Sequence, residues 1–213
     1  MTIITVTSGN VGGVGKTTIT LAMLMNSKNT AYLDLSPDNR SLSILLGLNP
    51  RTDVIDAIHG GKYMMYVRDK NLVLPIRHRE YIELRQLFEI TPQEVQRALK
   101  SLEKVLTSKY GVGSIVIDTM STTNLGLIRG AIEVADKLLI PLTRDREEII
   151  RKTVPVTRGK HLIYAMNMVR EATRIDDVDA IIPYIEGAGN QLEVAERIRK
   201  YVSNLIKVAL EQG

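Results

Sequence analysis

The chain has 213 residues, a formal charge of +4 and no cysteine, and its length fits one α/β domain over residues 1–213 with its own core. The lack of cysteine excludes a disulfide framework, a thiolate metal site and an iron–sulfur cluster held by the chain's own residues. No apolar run approaches the roughly 20 residues of a membrane span, and the start, MTIITVTS, lacks the basic region of a signal peptide, so we expect a cytoplasmic protein that does not act at a membrane.

The first predicted elements are a strand over residues 2–7, a glycine-rich loop, and a helix over residues 16–26 with apolar residues at helical spacing. An apolar run over residues 31–35 predicts a second strand, and the turn signal Ser-Pro-Asp-Asn follows it. A strand–helix–strand unit of this kind has parallel strands, because the helix crosses back over the sheet.

Strands and helices continue to alternate along the rest of the chain. A helix is predicted to begin after Thr91 as N-cap, with Glu94 at the third helical position. This order predicts an α/β fold with a single doubly wound, mostly parallel sheet, helices on both faces, and ligands at the carboxyl ends of the strands. The further predicted elements are strands at residues 63–67, 71–75, 114–117, 137–141, 161–167 and 180–183, and helices at residues 92–108 and 191–210.

The glycine-rich loop, residues 8–18 (SGNVGGVGKTT), is predicted to hold the phosphates of a nucleoside triphosphate. The pattern G-x-x-x-x-G-K-[ST] would begin at Asn10, so its first glycine is missing. The loop still follows a strand and opens a helix, where backbone N–H groups can surround phosphate oxygens. We predict that Lys16 reaches the β and γ phosphates and that the Thr17 hydroxyl binds Mg²⁺; the alternative is a glycine turn that only connects strand to helix. The predicted phosphate-binding residues are Gly12, Gly13, Val14, Gly15, Lys16, Thr17 and Thr18.

Two aspartates stand at the ends of apolar strands. Asp118 closes the run IVID, and Asp34 closes the run YLD. The carboxyl ends of parallel strands meet at the ligand edge of a sheet. We therefore predict that Asp118 holds the magnesium through water and that Asp34 takes part in catalysis beside Lys16. The alternative for each aspartate is a structural cap at a strand end.

Five blocks of sequence then follow one another in an order that is more specific than any single motif. They resemble the ParA/MinD family of P-loop ATPases, whose deviant Walker A loop reads K-G-G-x-G-K-[ST]-[ST]. The length is similar to that of the small partition ATPases without an N-terminal DNA-reading domain. The blocks are residues 11–18 (VGGVGKTT), 30–48 (TAYLDLSPDNRSLSILLGL), 114–119 (SIVIDT), 133–142 (EVADKLLIPL), and 164–169 with 180–187 (YAMNMV and AIIPYIEG).

The resemblance implies ATP and Mg²⁺ as cofactors. It implies that Asn167, at the end of its strand, hydrogen-bonds adenine, and that Pro183 and the turn after it line the base pocket. A guanine-reading N-K-x-D motif would need Lys and Asp where Met168 and Arg170 stand, so ATP is preferred over GTP. The alternative for Asn167 is a turn residue at a strand end.

Two positions depart from the family pattern. The family's signature lysine would fall at Val11, and the aspartate that positions the attacking water would fall at Ser36. Valine has no charge to offer the γ phosphate, and a serine hydroxyl is a poor general base, so we expect ATP to be bound well and hydrolysed slowly. Arg40 and Asp38 are the candidates to replace the missing groups.

The leading functional hypothesis is a nucleotide-switched protein of DNA or plasmid partition or positioning. ATP would hold a homodimer together through the nucleotide face, the dimer would bind DNA without reading its sequence, and an adaptor of the ParB type would trigger release. One alternative is a regulatory nucleotide-binding module with almost no hydrolysis. Another is an ATP-dependent small-molecule ligase of the dethiobiotin synthetase type.

A basic segment is the candidate DNA contact. Residues 144–174 hold eight Lys/Arg against four Asp/Glu, and such a segment attracts polyanions. The alternative is an ordinary solvated face. The predicted phosphate contacts are Arg151, Lys152, Arg158 and Lys160.

The last predicted helix carries an apolar stripe with lysine and arginine beside it. This pattern suits a membrane surface, but it suits packing on the sheet better, and we predict that the stripe is buried in the core. Its members are Ala195, Ile198, Val202, Leu205 and Ala209.

Overall fold

One sheet joins all the strands of the computed structural model, which describes residues 1–37, 41–77, 85–155, 159–170 and 175–210. Within those ranges the strands run in the order β3-β4-β2-β5-β1-β6-β7-β8. Their bounds are β1 Thr2–Val6, β2 Thr30–Leu35, β3 Tyr66–Arg68, β4 Asn71–Leu74, β5 Ser114–Thr119, β6 Lys137–Leu142, β7 His161–Val169 and β8 Ala180–Pro183.

Every neighbouring pair in this sheet is parallel except the hairpin of β3 and β4 at one edge. The predicted single, mostly parallel sheet is thus confirmed. β1 and β2 are parallel as predicted, but β5 lies between them. In this register Asp118 is paired with both Val6 and Asp34, so the ends of three adjacent strands meet at one point.

Helices cover both faces of the sheet, which confirms the doubly wound arrangement. Their bounds are α1 Lys16–Asn26, α2 Leu42–Leu45, α3 Val54–Ile58, α4 Pro92–Tyr110, α5 Gly126–Val134, α6 Glu147–Thr153 and α7 Gln191–Leu210, with a short 3-10 helix at Arg85–Phe88. Apolar residues of α1, α2 and α7 form the core on one face. Residues of α3, α4, α5, α6 and the 3-10 helix form the core on the other.

Local sequence signals account for the ends of these elements. Thr91 and Glu94 form the predicted capping box, with the Glu94 amide donating to Thr91 Oγ1 at 3.3 Å and the Thr91 amide donating to Glu94 Oε2 at 2.8 Å. α4 runs two residues past its predicted end, to Gly111 in a left-handed conformation (φ 64°). β3 begins three residues later and ends one residue later than predicted, and Asp69 and Lys70 adopt positive φ (47° and 67°) in the tight hairpin that joins it to β4.

The last helix packs as its stripe predicted. The five stripe residues of α7 are all buried in the core that α7 shares with α1. This docking places the first turn of α7, at Gln191, beside the start of α1, where it reaches the Thr18 hydroxyl. Among the described helices, none has both the length and the apolar character that crossing a membrane requires.

Candidate nucleotide-binding site

A pocket of about 390 Å³ opens beside the loop that joins β1 to α1. Its volume lies within the range of small-molecule sites, roughly 300–1,000 Å³. Residues 13–18 of the predicted loop share it with Asn167 and Pro183, so three separate stretches of sequence come together at the carboxyl edge of the sheet. The pocket is lined by residues 13–18, Ser36, residues 119–121, Asn167, Met168, residues 183–185, Gln191 and Val194.

Gly15 sets the shape of the loop at its α1 end. Its φ of +90° lies in the left-handed region, and a Cβ there would lie 2.2 Å from Asn167 Nδ2. Asn167 is buried and donates to the Val14 carbonyl at 2.9 Å. Only glycine fits beneath this amide, so β7 and the loop hold each other in place. The contact of Asn167 with adenine stays a prediction.

Lys16 is buried at the centre of the loop, with 7% of the residue exposed. Its ammonium donates to Ser8 Oγ at 3.1 Å and to Ser121 Oγ at 2.6 Å. Two hydroxyls from the ends of β1 and β5 thus orient the cation before any phosphate is bound. The sequence analysis did not predict a role for Ser121. The available signal was its position just after the strand that ends in Asp118 and Thr119.

Asp118 and Thr17 are suited to hold magnesium. Asp118 is fully buried and accepts hydrogen bonds from the Thr17 side chain and, at 3.3 Å, from Thr20 Oγ1. Its Oδ2 has no hydrogen-bond partner within the described part of the chain. Burial, and then the charge of Asp34, raise the pKa of Asp118 to about 7, while Thr17 and Lys16 oppose the shift. A buried carboxylate oxygen with no partner, beside a hydroxyl, is the hard oxygen donor set that Mg²⁺ prefers.

The Asp34 carboxylate forms hydrogen bonds within the fold and is not among the residues that line the pocket. Its Oδ1 accepts from the Ser36 amide at 3.0 Å, and its Oδ2 accepts from the Ser43 amide at 2.7 Å and the Ser43 hydroxyl at 2.6 Å. Burial raises its pKa to about 6 against the effect of these bonds. The carboxylate ties the end of β2 to α2 and fixes Ser36, which lines the pocket. Its catalytic role stays a prediction.

The two departures from the family pattern occupy different surroundings. Val11 is partly buried and packs against the apolar core below the loop, with its amide donating to the Ser8 carbonyl at 3.2 Å. Ser36 is buried in the pocket wall. Position 11 therefore contributes apolar packing and no charge. Asp38 and Arg40, the candidate replacements, lie outside the described residues.

Two polar side chains that the sequence did not single out contact the loop. Arg146, between β6 and α6, donates from its guanidinium to the Gly12 carbonyl. Gln191, at the start of α7, donates to Thr18 Oγ1 at 2.7 Å. The sequence signal for Arg146 is its place in the basic segment of residues 144–174. That segment is the candidate DNA contact.

The predicted DNA contacts on α6 are engaged with neighbouring side chains. Arg151 pairs with Glu147 at 2.8 Å and stacks on the Tyr164 ring, 4.1 Å from its centroid. Lys152 is exposed and pairs with Glu148 one helical turn away. Such pairs between exposed side chains are weak, so Lys152 in particular stays available to an external phosphate.

The other two predicted contacts have different outcomes. The Lys160 ammonium donates to the carbonyls of Glu133 and Ala135 at the end of α5, and partial burial lowers its pKa. This lysine caps a helix in the fold, which leaves less of its charge for a ligand. Arg158 lies outside the described residues. DNA binding by this segment stays a prediction.

Comparison of the sequence with protein-family models and with curated proteins finds no match. Solved structures match over nearly the whole chain. A chain of the MinC:MinD cell division protein complex from Aquifex aeolicus is 17% identical with a TM-score of 0.71, covering 100% of this chain and 97% of that one. A plasmid partition protein from Borrelia burgdorferi is 16% identical with a TM-score of 0.65, covering 93% and 96%.

A third matching structure is that of an enzyme with a different activity. Cobyrinic acid a,c-diamide synthase from Mycobacterium smegmatis, solved with an ATP analogue and magnesium, is 16% identical with a TM-score of 0.65, covering 97% of this chain and 95% of that one. The chain thus has the α/β fold of the P-loop nucleotide-binding proteins. Within that class it has the fold of the ParA/MinD-type ATPases, as its sequence motifs predicted.

Proposed function

We propose that this chain binds ATP with Mg²⁺ in the pocket beside the β1–α1 loop and acts as a nucleotide-switched protein of partition or positioning. The observation that carries this proposal is the buried ammonium of Lys16, which Ser8 and Ser121 orient toward the loop. A loop of backbone N–H groups at a helix N-terminus, with a cation inside it, is suited to polyphosphate. Thr17 and Asp118 would hold the Mg²⁺, which bridges phosphate oxygens and neutralises their charge.

The surroundings of the base end of the pocket support adenine. Asn167 offers an amide, and Pro183 and Tyr184 offer apolar surface. A guanine-specific site would need an aspartate at position 170, but Arg170 is there and its guanidinium stacks over the Tyr184 ring, 4.3 Å from the centroid. A cation beside the pocket gives no acceptor for the N–H groups of guanine.

Dimerisation through the nucleotide face, nonspecific DNA binding and an adaptor partner belong to this proposal. The MinC:MinD structure joins two division proteins in one complex, which supports an adaptor-bound mode for a chain of this fold. The exposed Lys152 on α6 supports a contact with phosphates that does not depend on sequence. Sedimentation with ATP, ADP and no nucleotide tests the dimer, and a monomer under all three conditions would contradict it.

A regulatory module with almost no hydrolysis is the second candidate. The apolar packing of Val11 favours it, because no charge reaches the γ phosphate from that position. The third candidate, a small-molecule ligase, draws support from the fold of the cobyrinic acid a,c-diamide synthase. Binding of a small carboxylic or amino substrate that requires ATP would favour the ligase, whereas retention on nonspecific DNA that requires ATP would favour the partition protein.

The direct test of nucleotide binding is calorimetry on Lys16→Ala. Removing the ammonium leaves phosphate charge uncompensated, so we expect ATP affinity to fall by at least about tenfold, roughly 1.4 kcal/mol. Lys109→Ala, an exposed lysine near the end of α4, is the control for a change in net charge and should bind ATP as the wild type does. Equal ATP affinity in both variants would remove the basis of the proposal.

A further inference from the structure

We propose that Arg146 contacts the terminal phosphate of ATP and supplies there the positive charge that position 11 lacks. The inference deepens the proposed function and depends on it. Arg146 is not part of the phosphate-loop motif, and it reaches the loop from the segment between β6 and α6.

Backbone hydrogen bonds fix the main chain at Arg146, from which the side chain reaches the loop. The Arg146 amide donates to the Thr143 carbonyl at 3.0 Å, and its own carbonyl accepts from Ile150 in the first turn of α6 at 3.0 Å. From this anchored position Nη1 donates to the Gly12 carbonyl. A Cβ on Gly13 would lie 3.3 Å from the same nitrogen. The cation therefore lies directly against the backbone of Gly12 and Gly13.

The position along the loop indicates which phosphate it meets. Gly15, at the α1 end, lies beneath Asn167 on the base side of the pocket. Gly12 lies at the opposite end, where a Cβ would be 3.6 Å from Ser121 Oγ, and Ser121 is one of the two hydroxyls that accept from the Lys16 ammonium. With adenine on the Asn167 side, a triphosphate extends along the loop toward Gly12. Arg146 thus lies at the terminal-phosphate end.

The chemistry of the side chain suits this role. A guanidinium has five N–H donors in a planar fork that fits phosphate oxygens, and the contacts of Arg146 with Gly12 and Asp145 use only some of them. The side chain is 45% exposed, and the Asp145 carboxylate, 3.3 Å away, is 71% exposed. Solvent screens this pair, so Asp145 offsets little of the charge that a phosphate would meet.

A nucleotide series separates this role from simple bracing of the loop. A brace on the Gly12 carbonyl would support ATP and ADP alike, whereas a contact with the terminal phosphate is present with ATP alone. In Arg146→Gln, calorimetry with Mg²⁺ should show ATP affinity reduced about tenfold and ADP affinity changed by less than about twofold. Arg146→Lys keeps the charge without the fork and should recover part of the ATP affinity.

Matched variants define the outcomes. Lys16→Ala should weaken both nucleotides, and Lys109→Gln should weaken neither. Equal losses for ATP and ADP in Arg146→Gln, or no loss, would overturn the inference while leaving the proposed function intact. A wild-type protein that binds neither nucleotide would overturn both. Thermal unfolding of each variant verifies that it is folded. If Arg146→Gln is unfolded, the affinities for ATP and ADP are compared in Arg146→Lys instead.

Discussion

The two ends of the phosphate loop differ in how tightly the protein encloses them. At the α1 end, Asn167 closes over Gly15, and Gln191 is hydrogen-bonded to Thr18. At the other end, Gly12 is exposed and its carbonyl is met by the partly exposed Arg146. At the enclosed end a side chain on Gly15 would collide with Asn167, so these contacts fix the loop. The open end is where cleavage groups would act, and the two departures from the family pattern affect that chemistry.

The largest expected effect tests the enclosed end. Gly15→Ala forces a side chain into the left-handed conformation and against Asn167 Nδ2, 2.2 Å away. Both the loop and the amide must shift, so we expect ATP affinity to fall at least about a hundredfold, roughly 2.7 kcal/mol. Titration calorimetry measures the loss.

Gly47→Ala is the matched control for Gly15→Ala. Gly47 also has a positive φ, +66°, but no atom of the described residues lies within 4 Å of its Cβ position. It carries the same kind of backbone penalty, about 1–2 kcal/mol of stability, without the collision. ATP affinity near the wild-type value is expected for this control. An equal loss in both variants would mean that backbone strain, and not the Asn167 contact, defines the enclosed end.

The open end is tested by restoring the missing groups. Val11→Lys and Ser36→Asp, alone and together, should be compared by single-turnover hydrolysis with and without DNA. Each preorganised electrostatic contact typically contributes about 10² to 10³ in rate, although two groups acting on one transition state need not add. Because Val11 packs against the core, we expect a lysine there to reach the phosphates only in part, and the double variant to gain about tenfold.

An opposite result would be equally informative about the open end. A wild-type rate that is already brisk, and that slows on these changes, would show that other residues have taken over the chemistry. Arg146 would then be the first residue to examine, followed by Arg40 and Asp38.

A pH experiment probes the buried carboxylates between the two ends. Burial raises the pKa of Asp34 to about 6 and that of Asp118 to about 7, so between about pH 4 and pH 7 the folded state binds more protons than the unfolded state. Stability should therefore fall as pH rises through this window. Without Mg²⁺ and nucleotide, we expect the free energy of unfolding to fall by about 1 kcal/mol more in the wild type than in Asp118→Asn between pH 6 and pH 7.

Denaturant titrations at several pH values provide this measurement. Asp118→Asn removes one of the two buried titrating groups, so the pH dependence of its stability should be flatter. Parallel curves for the two proteins would show that Asp118 does not titrate in this window.

The smallest expected effect concerns DNA. Lys152→Gln should reduce the dependence of log K on log salt by about 0.9, the value for one phosphate contact on duplex DNA, and should do so for all sequences alike. Lys109→Gln is the control outside the basic segment. Fluorescence anisotropy at several salt concentrations measures both slopes, and a loss confined to one DNA sequence would assign Lys152 to base contacts instead.

The sequence predicted most of the fold because its signals are local. The capping box at Thr91 and the apolar stripe of α7 both lie within single elements, and both are confirmed. The bounds of β3 were wrong because they are set by its pairing with β4, which begins at Tyr66 opposite Val73 and is not visible in residues 63–67 alone. The neighbours of each strand, such as β5 between β1 and β2, follow from packing across the whole sheet.

In the site, residues within the loop motif could be predicted, and those that reach it from elsewhere could not. The contacts of Ser121 and Gln191 join positions more than a hundred residues from the loop, and a serine or glutamine carries no signal of its own. The charge of Arg146 was a signal, but charge alone does not indicate where the side chain points.

Helix α6 touches the loop at both of its ends. Arg146 contacts Gly12 at the start of the helix, and a Cβ on Gly9 would lie 2.8 Å from Thr153 Oγ1 at its end, so both ends of the helix lie against the loop. We therefore expect the loop and α6 to open together, as one cooperative unit. A ligand that reduces the motion of the loop should also reduce the fluctuations of α6 and of its exposed residue Lys152. Nucleotide occupancy would thus be communicated to the surface as a change in mobility, without requiring a change of shape.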